Sequence, residues 1–329
     1  MTGFPTRRQM LSGTAGGVLA SLAMTQTSGA AYAAATYTAP NPRVRIDLNR
    51  SWRFVRADVQ GAEATGFDDS GWSSVNTPHT WNAVDGADGG NNYYRGVGWY
   101  RRHYTVPSEL AGKRLYLQFA GVNQVADVWV NGRYLGQHKG GYSRFRFGAT
   151  GVLVPGGDNV IAVKVTNARD TGIAPVSADY TFEGGIYRNV SLWAVDDLHV
   201  RMEDHAGPGV YLRQSEVTAT SATVTVTTKL WNDGSTTRSV MVRSVIADKS
   251  GNVVAEAGSS AQSVAAGTGA EIRQTVRVDR PRLWNGLADP YLHNASVPLR
   301  WKPVSGCTPS GWRTTSMTRR TTNSPTNAG

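Results

Sequence analysis

Residues 125–136, VADVWVNGRYLG, decide the class of fold. Apolar and polar side chains alternate on both sides of Asn131-Gly132. An Asn-Gly pair between two alternating runs is a strong hairpin signal, because both residues tolerate the left-handed backbone of a type I′ turn. The same period of two extends outward. RLYLQFAGV (114–122) puts Leu115, Leu117 and Phe119 on one face. NVIAVKVTN (159–167) alternates after the turn Pro155-Gly156-Gly157-Asp158, and GWYRRHYTVP (98–107) adds an aromatic-rich strand. Helical patterning is nearly absent between 45 and 200. Many short strands separated by Gly, Asn, Asp and Pro predict an all-β sandwich, and 43–197 reads as one jelly-roll domain.

A second unit covers 198–300. SATVTVTTKLWNDG (221–234) is a strict period-two strand ending in a turn. RSVMVRSVIADKSGNVVAEA (238–257) is a hairpin about Lys249-Ser250-Gly251-Asn252, and 269–285 supplies a further strand. Roughly a hundred residues with regularly spaced strands fit an immunoglobulin-like sandwich, without the Cys…Trp…Cys of antibody domains.

The two ends are different in kind. Residues 1–33 have Arg7-Arg8, then Met10 and Leu11, a mildly apolar stretch and Ala31-Tyr32-Ala33. This pattern predicts a twin-arginine secretory signal, and hence a secreted or extracytoplasmic protein with no membrane association once the signal is removed. The apolar run falls short of the roughly 18–20 residues that span a bilayer. Residues 306–329 contain no Val, Ile, Leu, Phe or Tyr. Too little apolar surface to offset backbone ordering predicts disorder over 301–329. Six of the ten net positive charges belong to these ends: Arg7, Arg8, Lys302, Arg313, Arg319 and Arg320. The body is therefore only mildly basic and is not a nucleic-acid binder by charge. Cys307 is the single cysteine. It excludes an internal disulfide and leaves stability to the core.

The body shows no nucleophile elbow, HExxH, phosphate-cradling loop or CxxC, so no cofactor and no metal site are predicted. GADGG (86–90) is Gly-rich but stands in a loop. The six histidines are dispersed: His79 stands in the loop NTPHTWN (76–82), and the other five read as surface or strand-edge residues. Aromatic and amide residues concentrate instead in 77–102, where Trp81, Tyr93, Tyr94, Trp99 and Tyr100 stand among Asn82, Asp85, Asn91 and Asn92. Flat rings beside amides and carboxylates suit sugars: rings stack on C–H faces and polar groups bind hydroxyls. The alternative is that the rings close the end of the core, most plausibly for Trp99 and Tyr100 on a strand. ADYTFEGGIYRNVSLW (178–193) places Asp179 before Gly184-Gly185 and a strand. It reads either as a ligand-facing loop or as a turn that Asp179 caps.

FDDSGWSSVNTPHTWN, YYRGVGWYRR, LQFAGVNQVADVWVNGRYLGQHKGGYSRFRF and DYTFEGGIYRNVSLW, in this order, resemble glycoside hydrolase family 2, in its β-galactosidase and β-glucuronidase branch. The likeness covers about 45–300, and RPRLWNGLADPYLHNASVPL (280–299) resembles the end of the family's second domain. The resemblance implies a sugar-binding jelly roll, then an immunoglobulin-like sandwich. It implies carbohydrate as partner, and catalysis by two glutamates of a third, (β/α)₈ domain. No βαβ rhythm follows residue 300 and 301–329 contain no Glu, so the family's catalytic residues have no counterpart here. By motif position, the resemblance makes Asp179 a substrate contact, with Asn82 a second candidate for the same pocket and Arg188 a structural brace.

The abrupt change after Leu299 is read as an out-of-frame tail or as a genuine short protein with a disordered end. Two functions compete. One is the non-catalytic N-terminal part of an exported family 2 glycosidase; the other is a stand-alone secreted carbohydrate-binding protein. An adhesion role has no positive signal beyond the second sandwich. A surface that would face a barrel, left uncovered, is expected to promote self-association.

Overall fold

The hairpin forms as the sequence predicts, with Asn131 and Gly132 both at positive φ, 51° and 77°. It joins strands Val125–Val130 and Arg133–Lys139, and the register slips by one residue between Val128 and Trp129. The computed structural model describes residues 43–88, 92–178, 180–301, 313–315 and 318–320. The signal segment and Cys307 lie outside the described residues.

The first sandwich packs two antiparallel sheets. One runs in the order Val44–Asp47, Val190–Val195, Arg114–Phe119, Phe145–Gly148. The other runs Ser73–Val75, Trp52–Val55, Val97–Thr105, Asp158–Thr166, Val125–Val130, Arg133–Lys139. Alternation sends Leu115, Leu117 and Phe119 inward from one sheet and Val128, Val130, Ile161 and Val163 from the other into a single core. Each such side chain, fully buried, contributes about 1.5–3 kcal/mol.

The second sandwich centres on two long strands. Ser221–Asn232 alternates between buried and half-buried along its whole length. Thr268–Asp279 pairs along one edge of it, and Leu198–Val200 and Val210–Ser215 follow each other along the other. Arg238–Ala247 organises the facing sheet, pairing with Val253–Gly258, Gln262–Val264, Asn294–Ser296 and Leu299–Trp301. Val226, Leu230, Val242, Ile246, Val276 and Leu299 fill the space between. The architecture is all-β: among the described residues the only helical element is the 3₁₀ turn Ser108–Leu110.

The tail departs from the prediction of disorder at seven residues, Trp301 among them. Arg313–Thr315 pairs with Leu299–Trp301, and Thr318–Arg320 pairs with Asn294–Ser296. A backbone ladder needs no apolar side chain, and threonine favours the extended conformation. The rest of 302–329 lies outside the described residues.

Arg114–Phe119 has two buried faces, which ties the sandwiches together. Its outward residues Tyr116 and Gln118 are covered by the chain entering the second domain. Tyr116 packs with Val195 and Met202. Arg146 Nε donates to Gln118 Oε1 at 2.7 Å, and its Nη1 donates to the carbonyls of Met202 and Gly207. Burial lowers the Arg146 pKa to about 10. Arg114 Nε donates to Asp197 Oδ1 at 2.8 Å.

Candidate functional site: a loop cluster at one end of the first sandwich

Three segments meet here: the 76–96 loop, the 167–188 return, and the turn at Gly140–Ser143. The first two are stitched by backbone bonds. His79 N–H donates to Ile186 O at 2.8 Å and Trp81 N–H to Gly184 O at 3.2 Å. The Thr80 hydroxyl reaches the same Gly184 carbonyl at 2.9 Å.

Beneath them lies a lattice of buried amides. Asn82 is fully buried. Its Oδ1 accepts from Gly184 N–H at 2.7 Å and Asn167 Nδ2 at 3.2 Å, and its Nδ2 donates to Asp85 Oδ1 and Tyr94 O. Asn167 Nδ2 also reaches the carbonyls of Tyr94 and Phe182, while its Oδ1 accepts from Gly96 N–H. Asn123 exchanges backbone bonds with Gly185 and donates Nδ2 to Glu183 O at 2.7 Å. The Asp85 carboxyl is held below the usual range, first by the Tyr94 N–H and then by Asn82.

Each glycine has its own reason. Gly184 lies so close to Trp81 that a Cβ would sit 2.1 Å from a ring carbon. Gly185 is at φ +129°, where a Cβ would also meet His79 O at 2.5 Å. Gly141 accepts a bond from the Tyr187 hydroxyl at 2.6 Å. Arg188 Nη1 donates to Tyr142 O at 3.4 Å and its guanidinium lies over Tyr187. Arg188 braces the turn.

The structure separates the loop aromatics that the sequence left open. Trp81 and Tyr93 are buried, as are Trp99 and Tyr100. Trp81 stacks on Phe54 and Tyr100 inside the core. The Tyr93 hydroxyl accepts from Phe182 N–H at 3.1 Å and from the Arg95 guanidinium. These rings close the core and carry no free face for a sugar. Among the described residues of this cluster the exposed rings are Tyr142 and Tyr180, 45% and 53% exposed, with hydroxyls 3.4 Å apart. A ring at position 180 beside the flagged Asp179 was the available sequence signal; position 142 was hidden until the turn met the return. Asp179 lies outside the described residues. Among those described, no group of three or more His, Cys, Asp or Glu could hold a metal ion. No helix there is long and apolar enough to cross a membrane.

Residues 48–196 match the model of the glycosyl hydrolases family 2 sugar-binding domain, and 208–304 match a second domain of glycosyl hydrolases family 2. The chain belongs to glycosyl hydrolase family 2. It is 36% identical over 266 residues to a β-glucuronidase of Bacteroides fragilis, covering 78% of this chain and 35% of that protein. It is also 36% identical over 261 residues to a β-galactosidase of Bacteroides ovatus, covering 77% and 29%. The crystal structure of a Bacteroides uniformis β-glucuronidase superposes with a TM-score of 0.77 at 30% identity, over 84% of this chain and 32% of that one. The family 2 chain thus spans about a third of the length of the curated relatives it matches. The two matched domains are the two sandwiches, and the loop cluster belongs to the family's sugar-binding domain.

Proposed function

We propose that this chain is the non-catalytic N-terminal part of an exported, β-galactosidase-like family 2 glycoside hydrolase of carbohydrate metabolism, and that Asp179 contacts the sugar. The observation that carries the reading is the amide lattice under the 180–188 return. Asn167 Nδ2 donates to Phe182 O, Asn123 Nδ2 to Glu183 O, and Asn82 Oδ1 accepts from Gly184 N–H, so residues 182–184, three to five positions after Asp179, are tied to the sandwich by side-chain bonds. Preorganisation of this kind is what a substrate-positioning carboxylate requires. Asn82 serves the pocket from beneath, by fixing Gly184. Membership in a family with a sugar-binding domain supports carbohydrate as the partner.

The test is a pair of assays on the purified chain. No release of nitrophenol from nitrophenyl β-galactoside or β-glucuronide is expected. Binding of β-galactosides on a glycan array, lost in Asp179→Asn, would support a contact that persists in this chain alone. It would favour the stand-alone carbohydrate-binding reading, for which exposed Tyr142 and Tyr180 offer a stacking surface. Turnover by the chain would overturn both readings. Export is tested by Arg7→Lys/Arg8→Lys, which should strand the precursor inside the cell. Self-association is part of the same proposal: Leu283, Trp284 and Leu287 are exposed within one loop. A sedimentation coefficient independent of concentration would remove it.

A further inference from the structure

The six-stranded sheet of the first sandwich has an outer face turned away from the core, and the strand register sorts its residues into rows. Val97, Thr166, Val125 and Lys139 form one row, Trp99, Lys164, Asp127 and Gln137 the next, and Arg101, Ala162, Trp129 and Tyr134 the third. The segment 56–72 covers half of this face. Ala62, Trp99 and Ala162 form a small buried cluster there with Val55, Val59 and Trp72. Arg101 donates to Asp69 Oδ2 at 2.8 Å and to the carbonyls of Ala62, Ala64 and Phe67. The other half, over Val125–Val130 and Arg133–Lys139, is open: Tyr134, Gln137 and Lys139 are exposed.

The register slip in the hairpin assembles the open half. Tyr134 and Gln137 are three residues apart, and in a regular strand they would point to opposite faces. The extra residue at the slip turns both outward while Leu135 packs on the core. Gly136 makes this possible: it lies at φ +149°, and a Cβ there would sit 2.7 Å from the Phe147 ring. Both outward side chains then meet one carboxylate. The Tyr134 hydroxyl donates to Asp127 Oδ1 at 2.7 Å and Gln137 Nε2 donates to the same oxygen at 2.9 Å. The rings step outward from buried Trp99 to half-buried Trp129, 5.3 Å between centroids, and on to half-exposed Tyr134, a further 5.2 Å.

About 13 Å along the strand from Trp129, Val125 and Thr166 floor a hollow of about 550 Å³ walled by Ala168, Arg169, Asp170 and Thr171. That volume lies within the roughly 300–1,000 Å³ of small-molecule sites. Thr166 Oγ1 accepts from Ala168 N–H and Asp170 Oδ1 from Gly172 N–H, which fixes the wall, while Arg169 and Thr171 are exposed. Charges on this half-face balance: Lys139, Lys164 and Arg169 stand against Asp58, Asp127 and Asp170, with Lys164 Nζ on Asp58 Oδ1 at 2.7 Å. Open rings beside carboxylates and amides, without net charge, suit a neutral polyhydroxylated chain: the rings take C–H faces and the polar groups take hydroxyls. The span from hollow to ring is longer than one sugar.

We propose that this half-face is a second carbohydrate-binding surface, which takes a neutral oligosaccharide with one sugar in the hollow and another against Tyr134 and Trp129, its hydroxyls on Asp127, Gln137 and Arg169. The surface is independent of any sugar contact by Asp179 and would hold a polymer to the protein without cleaving it.

The experiment titrates the full chain, by calorimetry and amide NMR, with β-1,4-linked galactohexaose and with cellohexaose. Methyl β-D-galactoside is a separate arm. Saturable binding of at least one hexaose, tenfold or more tighter than the monosaccharide, is expected, with amide shifts in 125–139 and 166–171. Tyr134→Ala should weaken it by tenfold or more and Arg169→Ala several-fold. Both side chains are exposed, so both variants should melt with the wild type; Gln137→Ala replaces either one that does not. Asp179→Asn should bind the hexaose with full affinity. No binding of either hexaose overturns the proposal, as does equal affinity for the monosaccharide or full affinity in Tyr134→Ala or Arg169→Ala. Loss of hexaose binding in Asp179→Asn would place the ligand at the loop cluster and also overturn it.

Discussion

Asn82 and Asn167 lie 85 residues apart in the chain and share a buried hydrogen bond, Asn167 Nδ2 donating to Asn82 Oδ1 at 3.2 Å. The same Asn82 oxygen holds Gly184 N–H, so one side chain joins two loops and the end of a strand. Asn82→Ala leaves Gly184 N–H without an acceptor and Asp85 Oδ1 without its Asn82 donor, while Asn167 Nδ2 keeps the carbonyls of Tyr94 and Phe182. Each stranded group costs about 1–3 kcal/mol, so a loss of about 2–4 kcal/mol is expected. A lower urea midpoint at unchanged m would show it. A shift under half a kcal/mol would mean that water replaces the amide.

Gly184 and Gly185 should fail differently. Gly184→Ala drives a methyl into the Trp81 ring, and Trp81 sits in the core. Overpacking of this kind costs about 1–3 kcal/mol and should change tryptophan fluorescence as the ring moves. Gly185→Ala adds backbone strain at φ +129° to a contact with a fixed carbonyl, which cannot give way as a side chain can. The expected order of melting temperatures is wild type, Gly184→Ala, Gly185→Ala.

The strands were legible because period-two alternation reports burial directly. Leu115, Leu117 and Phe119 point into the core as their spacing implies. The loop cluster was only half legible. Asn82, Asn123 and Asn167 look in sequence like turn formers or sugar ligands. Nothing local says that their amides are spent on carbonyls 12 to 60 residues away. Trp81 and Tyr93 misled for the same reason: a ring in a polar loop can still be buried when the loop folds back over the sandwich end. His199 was read as a surface or edge residue, but Tyr116, from the other sandwich, covers it. Period and composition carry local geometry, whereas these placements are set by partners distant in the chain.

Arg101 and Asp69 test what a buried ion pair is worth. Arg101 has no exposed side-chain surface and Asp69 little. Asp69 also meets His103 Nε2 at 3.0 Å. Asp69→Ala strands a charged guanidinium on carbonyls alone and should cost about 3–5 kcal/mol. Adding Arg101→Met removes the stranded charge. The double variant should recover a large part of the loss, measured as a double-mutant cycle. A double variant as unstable as the sum of the singles would show that packing of the Ala62–Phe67 loop, not charge, sets the cost.

His199 makes stability depend on mildly acid pH. Its Nδ1 faces the carbonyls of Asp196 at 2.8 Å and Asp197 at 3.2 Å, so Nδ1 carries the proton. Its Nε2 faces the Tyr116 hydroxyl at 3.3 Å, with Asp233 beyond at 3.8 Å. Burial holds the imidazole below its ordinary value, outweighing the pull of Asp233 and the two carbonyls. Burial depresses His79, His138 and His293 in the same sense. An unfolded histidine titrates near 6.5. Below that pH the unfolded chain takes up protons that the fold refuses, so the contribution is complete above 6.5 and is lost as pH falls. Each such proton is worth up to about 1.4 kcal/mol per pH unit. Glu203, raised by burial, acts in the opposite sense at lower pH. Urea denaturation at steps from pH 7.5 to 5.5 should show falling stability, with a shallower slope in His199→Gln. An unchanged slope in that variant would mean that His199 accepts its proton in the folded protein, paired with Asp233.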